Sequence, residues 1–346
     1  MNLVSKYNLE ALKMPKKVTI QEIAKRANVS KSTVSKALGN ATDINAATRE
    51  RVLMYASELG YEIKRNKTLQ KGKVVTFVEG IDYKNINHFG YELLLGFQAA
   101  AGEAHYGVNI ISVGGTESID NYEEIMKNGD YDGSFILGFK PGDEFVMKAA
   151  KSGIPAVVLD NDVDGDAIAR VGSDSKTGIN LIVKHLCGLG HKKIAFIGGE
   201  KDSMVTAERH RAFALALKKN GLEYNEKFVD YSAFYAENAP SKLRDIVKSG
   251  ATAIICASDI IAINCMNELL KSGFRVPYDV SVTGYDDIPL AKYSNPALTT
   301  VFQNRIHIGR CAFYALLQIM NGVKINKLIL RPELVVRQST ATVKII

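Results

Sequence analysis

The stretch VTIQEIAKRANVSKSTVSKAL, residues 18–38, decides how this 346-residue chain is organised. Thr19-Ile20-Gln21-Glu22 has the spacing of a capping box, in which a Thr and a Glu three residues on satisfy each other's backbone N–H groups. Ile20, Ile23, Ala24 and Ala27 recur at helical spacing, which predicts a short helix to about Ala27. Asn28-Val29-Ser30 breaks it. Ser30 is placed to cap a second helix with Val34, Ala37 and Leu38 on its apolar face. A third helix is expected after Asn45, with Val52, Leu53, Ala56 and Leu59 inward and Gly60 at its end. The reading is a three-helix unit with a helix-turn-helix at its front.

The second helix carries Lys31, Ser32, Thr33, Ser35 and Lys36 on its start and outward side. Such short polar or cationic side chains can reach base edges and phosphates in a major groove, or can simply form a solvated face. The distribution of charge favours the first. Residues 1–72 hold 14 basic and 6 acidic residues, net +8, whereas residues 73–346 are net −1, so the chain's +7 is concentrated at one end. A cationic end on a neutral body fits an appended module that meets a polyanion, nucleic acid or a membrane surface. It argues against a single-purpose metabolic enzyme.

From Lys73 onward short apolar strands alternate with amphipathic helices, a βαβ texture. Strands are predicted at 74–78, 109–113, 133–137, 156–159, 193–197, 253–256 and 280–283. They suit two doubly wound sheets, whose ligands sit beyond the carboxyl ends of the strands. On that ground Glu79 and Phe89, after the first strand, are candidates to face a ligand, with Asp82 and Asn87 beside them. No phosphate-loop, zinc-protease or nucleophile-elbow motif occurs, and no catalytic role is assigned. Cys187, Cys256, Cys265 and Cys311 lie far apart without metal-ligand spacing and read as reduced interior thiols; no metal is expected. No stretch approaches the ~18 apolar residues of a membrane helix, and the start lacks a signal-peptide core, so a cytoplasmic location is expected.

Residues 18–38, with Thr48-Arg49-Glu50-Arg51-Val52 and Leu59-Gly60-Tyr61, resemble the headpiece of the LacI/GalR family of bacterial transcription regulators. The body is similar to the same family at HLCGLGHKKIAFIGG (185–199), at Glu208-Arg209, at Val280 to Asp287, at Pro296 to Thr300 and at Leu334 to Thr340. The resemblance spans about Val18 to Thr340. It implies a core related to periplasmic sugar-binding proteins, with one lobe at about 74–172 plus 304–333 and the other at about 173–303 plus the tail. The expected organisation is an extension at 1–17, the headpiece at 18–61, a basic hinge or linker at 62–73 and the two-lobed α/β core at 74–346.

By resemblance, Lys31, Ser32 and Lys36 would read bases and Thr33 and Ser35 would contact phosphates. Thr19, Thr48 and Arg49 complete the headpiece's DNA-facing candidates. Family members continue Tyr-x-Pro-Asn and then Ala-Arg-x-Leu, a hinge helix whose Leu wedges into the minor groove. This chain departs from that pattern: the Pro is missing, Lys67 stands near the usual Ala, and Leu69, the residue that would be the wedge, comes one position early. Lys64, Arg65, Lys67, Lys71 and Lys73 can instead hold phosphates electrostatically, or belong to a flexible basic linker.

In the core the resemblance implies effector-binding roles for Arg209, Asp286, Asp160 and Tyr231. The guanidinium fork of Arg209 suits vicinal hydroxyls or a carboxylate; alternatively it pairs at the surface with Glu208 or Asp202. Asp286 would accept from ligand hydroxyls, or cap the next turn. Tyr231 would stack on the ligand, or sit in the core. Ser258 stands where many sugar-responsive members carry Asn, which changes the ligand edge read there. The expectation is therefore a repressor that binds a pseudo-palindromic operator as a homodimer, with a tetramer left open, controlled by a small ligand, a sugar, in the inter-lobe cleft. The competing reading is a ligand-binding or sugar-modifying protein without DNA regulation.

Overall fold

The structure, a computed structural model, describes residues 18–39, 41, 44–61, 70–113 and 121–343. The chain divides into two compact units, 1–69 and 70–346. In the first, α1 (Ile20–Ala27), α2 (Lys31–Leu38) and α3 (Ala46–Glu58) bury Ile23, Ala24, Ala27, Val34, Ala37, Val52 and Ala56 against one another. The capping box forms: Glu22 N–H donates to Thr19 Oγ1 and Thr19 N–H donates to Glu22 Oε2 at 2.7 Å. Asn28 ends α1 in the left-handed conformation at φ 54°, and Ser30 Oγ accepts from Thr33 N–H at 3.0 Å to start α2. Leu53, expected inward, is 37% exposed. Val52 and Ala56 lie one above the other at i and i+4, and the next residue is turned about 100° off that face.

The second unit holds two parallel sheets. One contains β1 (Gly72–Glu79), β2 (Tyr106–Val113), β3 (Gly133–Leu137), β4 (Ala156–Leu159), β5 (Ile168–Ser173) and β11 (Lys327–Leu330), in the order β11-β5-β4-β3-β1-β2. The other contains β6 (Ile194–Gly198), β7 (Val229–Tyr231), β8 (Ala253–Cys256) and β9 (Ser281–Thr283), in the order β7-β6-β8-β9. A short antiparallel pair, β10 (Thr300–Phe302) with β12 (Glu333–Val335), joins them.

Helices cover the sheets: α4 (Phe89–Glu103), α5 (Tyr122–Asn128) and α6 (Glu144–Lys151) belong to the first lobe. The second lobe has α7 (Ser175–Gly188), α8 (Met204–Lys219), α9 (Leu243–Lys248), α10 (Asp259–Lys271) and α11 (Pro289–Tyr293). After β10 the chain returns to the first lobe as α12 (Arg305–Met320), which buries Ile308, Ala312, Phe313 and Leu316 in the core shared with Phe97 and Phe135. Glycines let α12 approach α4 closely: a Cβ on Gly309 would lie 1.9 Å from the Leu93 carbonyl oxygen, and one on Gly96 would lie 2.1 Å from that of Ile306.

The second lobe closes around a single core that includes Phe196, Phe213, Ile254, Val282 and Tyr285. Its two motif histidines are structural ties to the tail: His185 Nε2 meets Thr340 Oγ1 at 3.0 Å, and His191 bonds Thr252 Oγ1 and the Ala341 carbonyl, each at 3.0 Å. Cys256 and Cys265 are buried free thiols. Among the described residues no helix is long and apolar enough to cross a membrane.

Candidate effector cleft and nucleic-acid interface

The carboxyl ends of strands from both sheets converge on a cavity of about 280 Å³ between the lobes. From the first lobe it is lined by Phe89, by Phe139 after β3 and by Asp160 after β4; from the second by Glu200 after β6, Ser258 after β8 and Asp286 after β9. A ligand there meets the exits of both parallel sheets, where backbone turns free side chains from the sheet. Gly138 makes one such exit possible: its φ is +90°, and a Cβ there would lie 1.7 Å from the Glu79 carbonyl oxygen.

Arg209, on α8, is 3% exposed and points away from the surface partners considered above. Its guanidinium stacks on the Tyr285 ring at 3.7 Å from the centroid, donates to the Ala257 carbonyl and faces Asp286 at 3.8 Å. The surface candidates are engaged elsewhere, Glu208 with Arg170 at 2.8 Å and Asp202 with Lys140 at 2.7 Å. Asp286 holds a φ of 115° and accepts from Gln303 Nε2 at 2.6 Å, while its backbone carbonyl accepts from Arg305. Burial raises the Asp286 carboxyl above the usual range, opposed by Arg209 and Arg305. Asp160 is likewise pushed up to about 6 by burial, against the pull of Arg170 and Arg209. Ser258 caps α10 by accepting from Ile261 N–H at 3.3 Å, which leaves its hydroxyl proton for the cavity it lines.

Two expected side chains lie outside the lining. Glu79 ends β1, and it is the following Gly80 and Ile81 that border the cavity. Burial raises the Glu79 carboxyl. Tyr231 ends β7 and packs beside His210, with Lys201 Nζ 4.9 Å from its ring centroid. The aromatic lining from this region comes from Phe234 and Tyr235, which sequence reasoning missed. Asn87, weighed beside Phe89, does line the cavity. Contacts also cross the cleft: the rings of His88 and Tyr235 stack at 4.5 Å, and Lys140 and Asp202 bridge the two lobes.

In the headpiece, Lys31, Ser32, Ser35 and Lys36 are exposed on α2 and Thr33 is half-buried. Ser30 Oγ ties the hydroxyls of Ser32, at 2.7 Å, and Thr33, at 2.8 Å, into the helix start. Thr48 and Arg49 are half-buried in the first turn of α3, and Arg49 donates to the Ala41 carbonyl, so part of its fork braces the loop between helices. Lys64, Arg65, Lys67 and Leu69 lie outside the described residues.

Residues 19–63 match the family of bacterial regulatory proteins, lacI family, and residues 183–340 match the periplasmic binding protein-like domain. The chain belongs to the lacI family of bacterial regulatory proteins. The HTH-type transcriptional repressor PurR of Vibrio vulnificus is 29% identical over 334 residues, covering 93% of this chain and 98% of that protein. The structure is similar to the lac repressor dimer bound to operator and the anti-inducer ONPF, with TM-score 0.72, 26% identity, and 94% and 100% of the two chains covered. It also resembles a complex of the transcriptional regulator CelR with cellobiose, with TM-score 0.70, 27% identity, and 93% and 100% covered. This member of the lacI family is thus a DNA-binding transcription regulator with an effector domain of the periplasmic-binding type, and not an enzyme.

Proposed function

We propose that this regulator represses transcription in the cytoplasm by binding a pseudo-palindromic operator as a homodimer, and that a neutral sugar in the inter-lobe cleft controls its affinity for DNA. Lys31, Ser32 and Lys36 read bases, while Thr33 and Ser35, with Thr19, Thr48 and Arg49, position the helix on the backbone. Lys64, Arg65 and Lys67 add phosphate contacts, and Leu69 is the candidate wedge.

The observation that carries the choice of ligand is the charge inventory of the cleft. Asp160, Glu200, Asp202 and Asp286 line it against Arg209 and Lys140 alone, and both cations already face carboxylates. An anionic ligand would meet net negative charge, whereas sugar hydroxyls can donate to the acids and accept from Arg209 and Ser258. Phe89, Phe139, Phe234 and Tyr235 supply the apolar faces on which a pyranose ring packs. The volume suits one or two sugar rings, and a structural relative holds cellobiose. Because the ligand touches both lobes, it alters their mutual orientation and shifts DNA affinity by its differential affinity for the two states.

The test joins two measurements on the full chain. A labelled fragment from upstream of its own coding region should be retained at low salt, and a thermal-shift screen of neutral sugars, sugar phosphates, hexuronates and purines should give its largest shift with a neutral sugar. Retention of no genomic fragment would sink the regulator reading, and a largest shift from an anion or a purine would sink the ligand assignment.

A further inference from the structure

The core has a second concavity, of about 300 Å³, which shares no lining residue with the cleft cavity. Residues Arg170 and Ser173 of β5 and Lys327 and Ile329 of β11 line it from the first lobe, the first turn of α7 and the Glu208 to Leu215 stretch of α8 from the second. Arg170 is 6% exposed. Its Nη2 donates to Glu208 across the lobes at 2.8 Å, while its Nε has no hydrogen-bond partner among the described residues. A buried N–H left without an acceptor is destabilising, so such a donor marks a place where an acceptor is wanted.

The charges around it point to the kind of acceptor. Arg170, Lys176, Arg211 and Lys327 outnumber Asp174 and Glu208 by two. Both carboxylates are committed: Glu208 to Arg170, and Asp174 to the start of α7, where it accepts from Thr177 N–H at 2.9 Å and from Thr177 Oγ1 at 2.6 Å. Lys327 pairs with Asp162 at 3.1 Å, but Lys176 and Arg211 have no ion-pair partner among the described residues. The two cations left without a carboxylate suit a small anion such as phosphate, with Arg211 able to offer a two-pronged donor and Lys176 a point charge.

We propose that this concavity binds a small phosphate-bearing anion, held by Lys176 and Arg211 above Arg170. Such an anion touches both lobes beside the Arg170 and Glu208 bridge. Arg170 also pulls on Asp160, which lines the cleft, so the two ligands act on one connected set of charges. The site therefore gives the regulator a second input, chemically distinct from the neutral ligand of the cleft.

Inorganic phosphate titrated calorimetrically into the full chain at constant ionic strength tests this, with chloride as the matched control. Three proteins are compared: the wild type, a Lys176→Ala and Arg211→Ala double variant, and Lys140→Ala, which removes the exposed lysine of the cleft. The expected result is saturable binding to the wild type, weakened about tenfold or more in the double variant and unchanged in Lys140→Ala. The proposal is overturned if the wild type shows no saturation beyond chloride, if the double variant binds as the wild type does, or if Lys140→Ala alone abolishes binding. These outcomes are independent of whether a neutral sugar binds the cleft.

Discussion

The guanidinium of Arg209 lies flat against the Tyr285 ring, 3.7 Å from its centroid, with one edge held by the Ala257 carbonyl and by Asp286. The ring fixes the plane of the fork before a ligand arrives, so little side-chain freedom remains to be lost on binding. Lysine keeps the charge opposite Asp286 but has neither the plane nor the second prong. Arg209→Lys is therefore expected to weaken the best ligand of the sugar screen by about 10–100-fold, the range for a hydrogen bond to a charged group. Operator binding without ligand should stay at the wild-type level. An isotherm superimposable on that of the wild type would remove Arg209 from the effector site.

Asp160 gives the cleft a pH dependence. Its folded-state pKa of about 6 lies above the value of 3.8 for an unperturbed Asp, so the native state holds this proton more tightly than the unfolded chain does. Its contribution to stability is present in full below about pH 4 and is lost as pH rises through about 6. Asn cannot ionise and tolerates the left-handed backbone that Asp160 adopts at φ 44°. Asp160→Asn should therefore melt higher than the wild type at pH 7.5, with the gap narrowing by pH 4.5. A gap that widens toward acid would mean that the carboxylate is stabilised in the fold.

Most of this architecture was legible because it rests on local rules. The capping box at Thr19, the Ser30 cap and the apolar spacing of Ile23, Ala24 and Ala27 each act within one turn, and the helices begin and end where those residues require. Strands buried on both faces, such as β4 and β8, announce themselves as unbroken apolar runs. β5 did not, because Arg170 and Gly172 interrupt its pattern; the buried arginine's hydrogen-bonded carboxylate, Glu208, stands 38 residues away. In the cleft, Asp160, Ser258 and Asp286, which the family resemblance implied, stand just past the ends of β4, β8 and β9 and line the cavity. Phe234 and Tyr235 stand in an aperiodic loop after a three-residue strand, and only the approach of the other lobe, through His88, gives Tyr235 its place. Glycine contacts between helices are equally silent in the sequence.

Those glycines make a paired prediction. Gly309→Ala puts a Cβ into the Leu93 carbonyl, so α4 and α12 must separate or bend. Overpacking of this kind costs about 1–3 kcal/mol, partly offset by the better helix propensity of Ala, and each kcal/mol lost lowers Tm by about 2–4 °C. Gly102→Ala, near the end of the same α4, meets nothing within 4 Å and should leave Tm unchanged or raise it slightly. Equal melting of the two variants would show that the helices yield at no cost and that the close approach is incidental.

The headpiece separates reading from anchoring. Lys31 and Lys36 stand exposed on α2, where a helix laid in a major groove presents its side chains to base edges, whereas Lys67 belongs to the basic segment that follows. Loss of a base contact costs about 1–3 kcal/mol on the preferred site and little elsewhere; loss of a phosphate contact weakens every sequence alike and lowers the salt slope by about one. Lys31→Ala and Lys36→Ala should thus narrow the gap between operator and random DNA, while Lys67→Ala should preserve that gap and flatten the dependence on salt. Anisotropy titrations of both DNAs at three salt concentrations distinguish the two effects. Parallel losses for all three variants on both DNAs would place α2 on the phosphate backbone rather than in the groove.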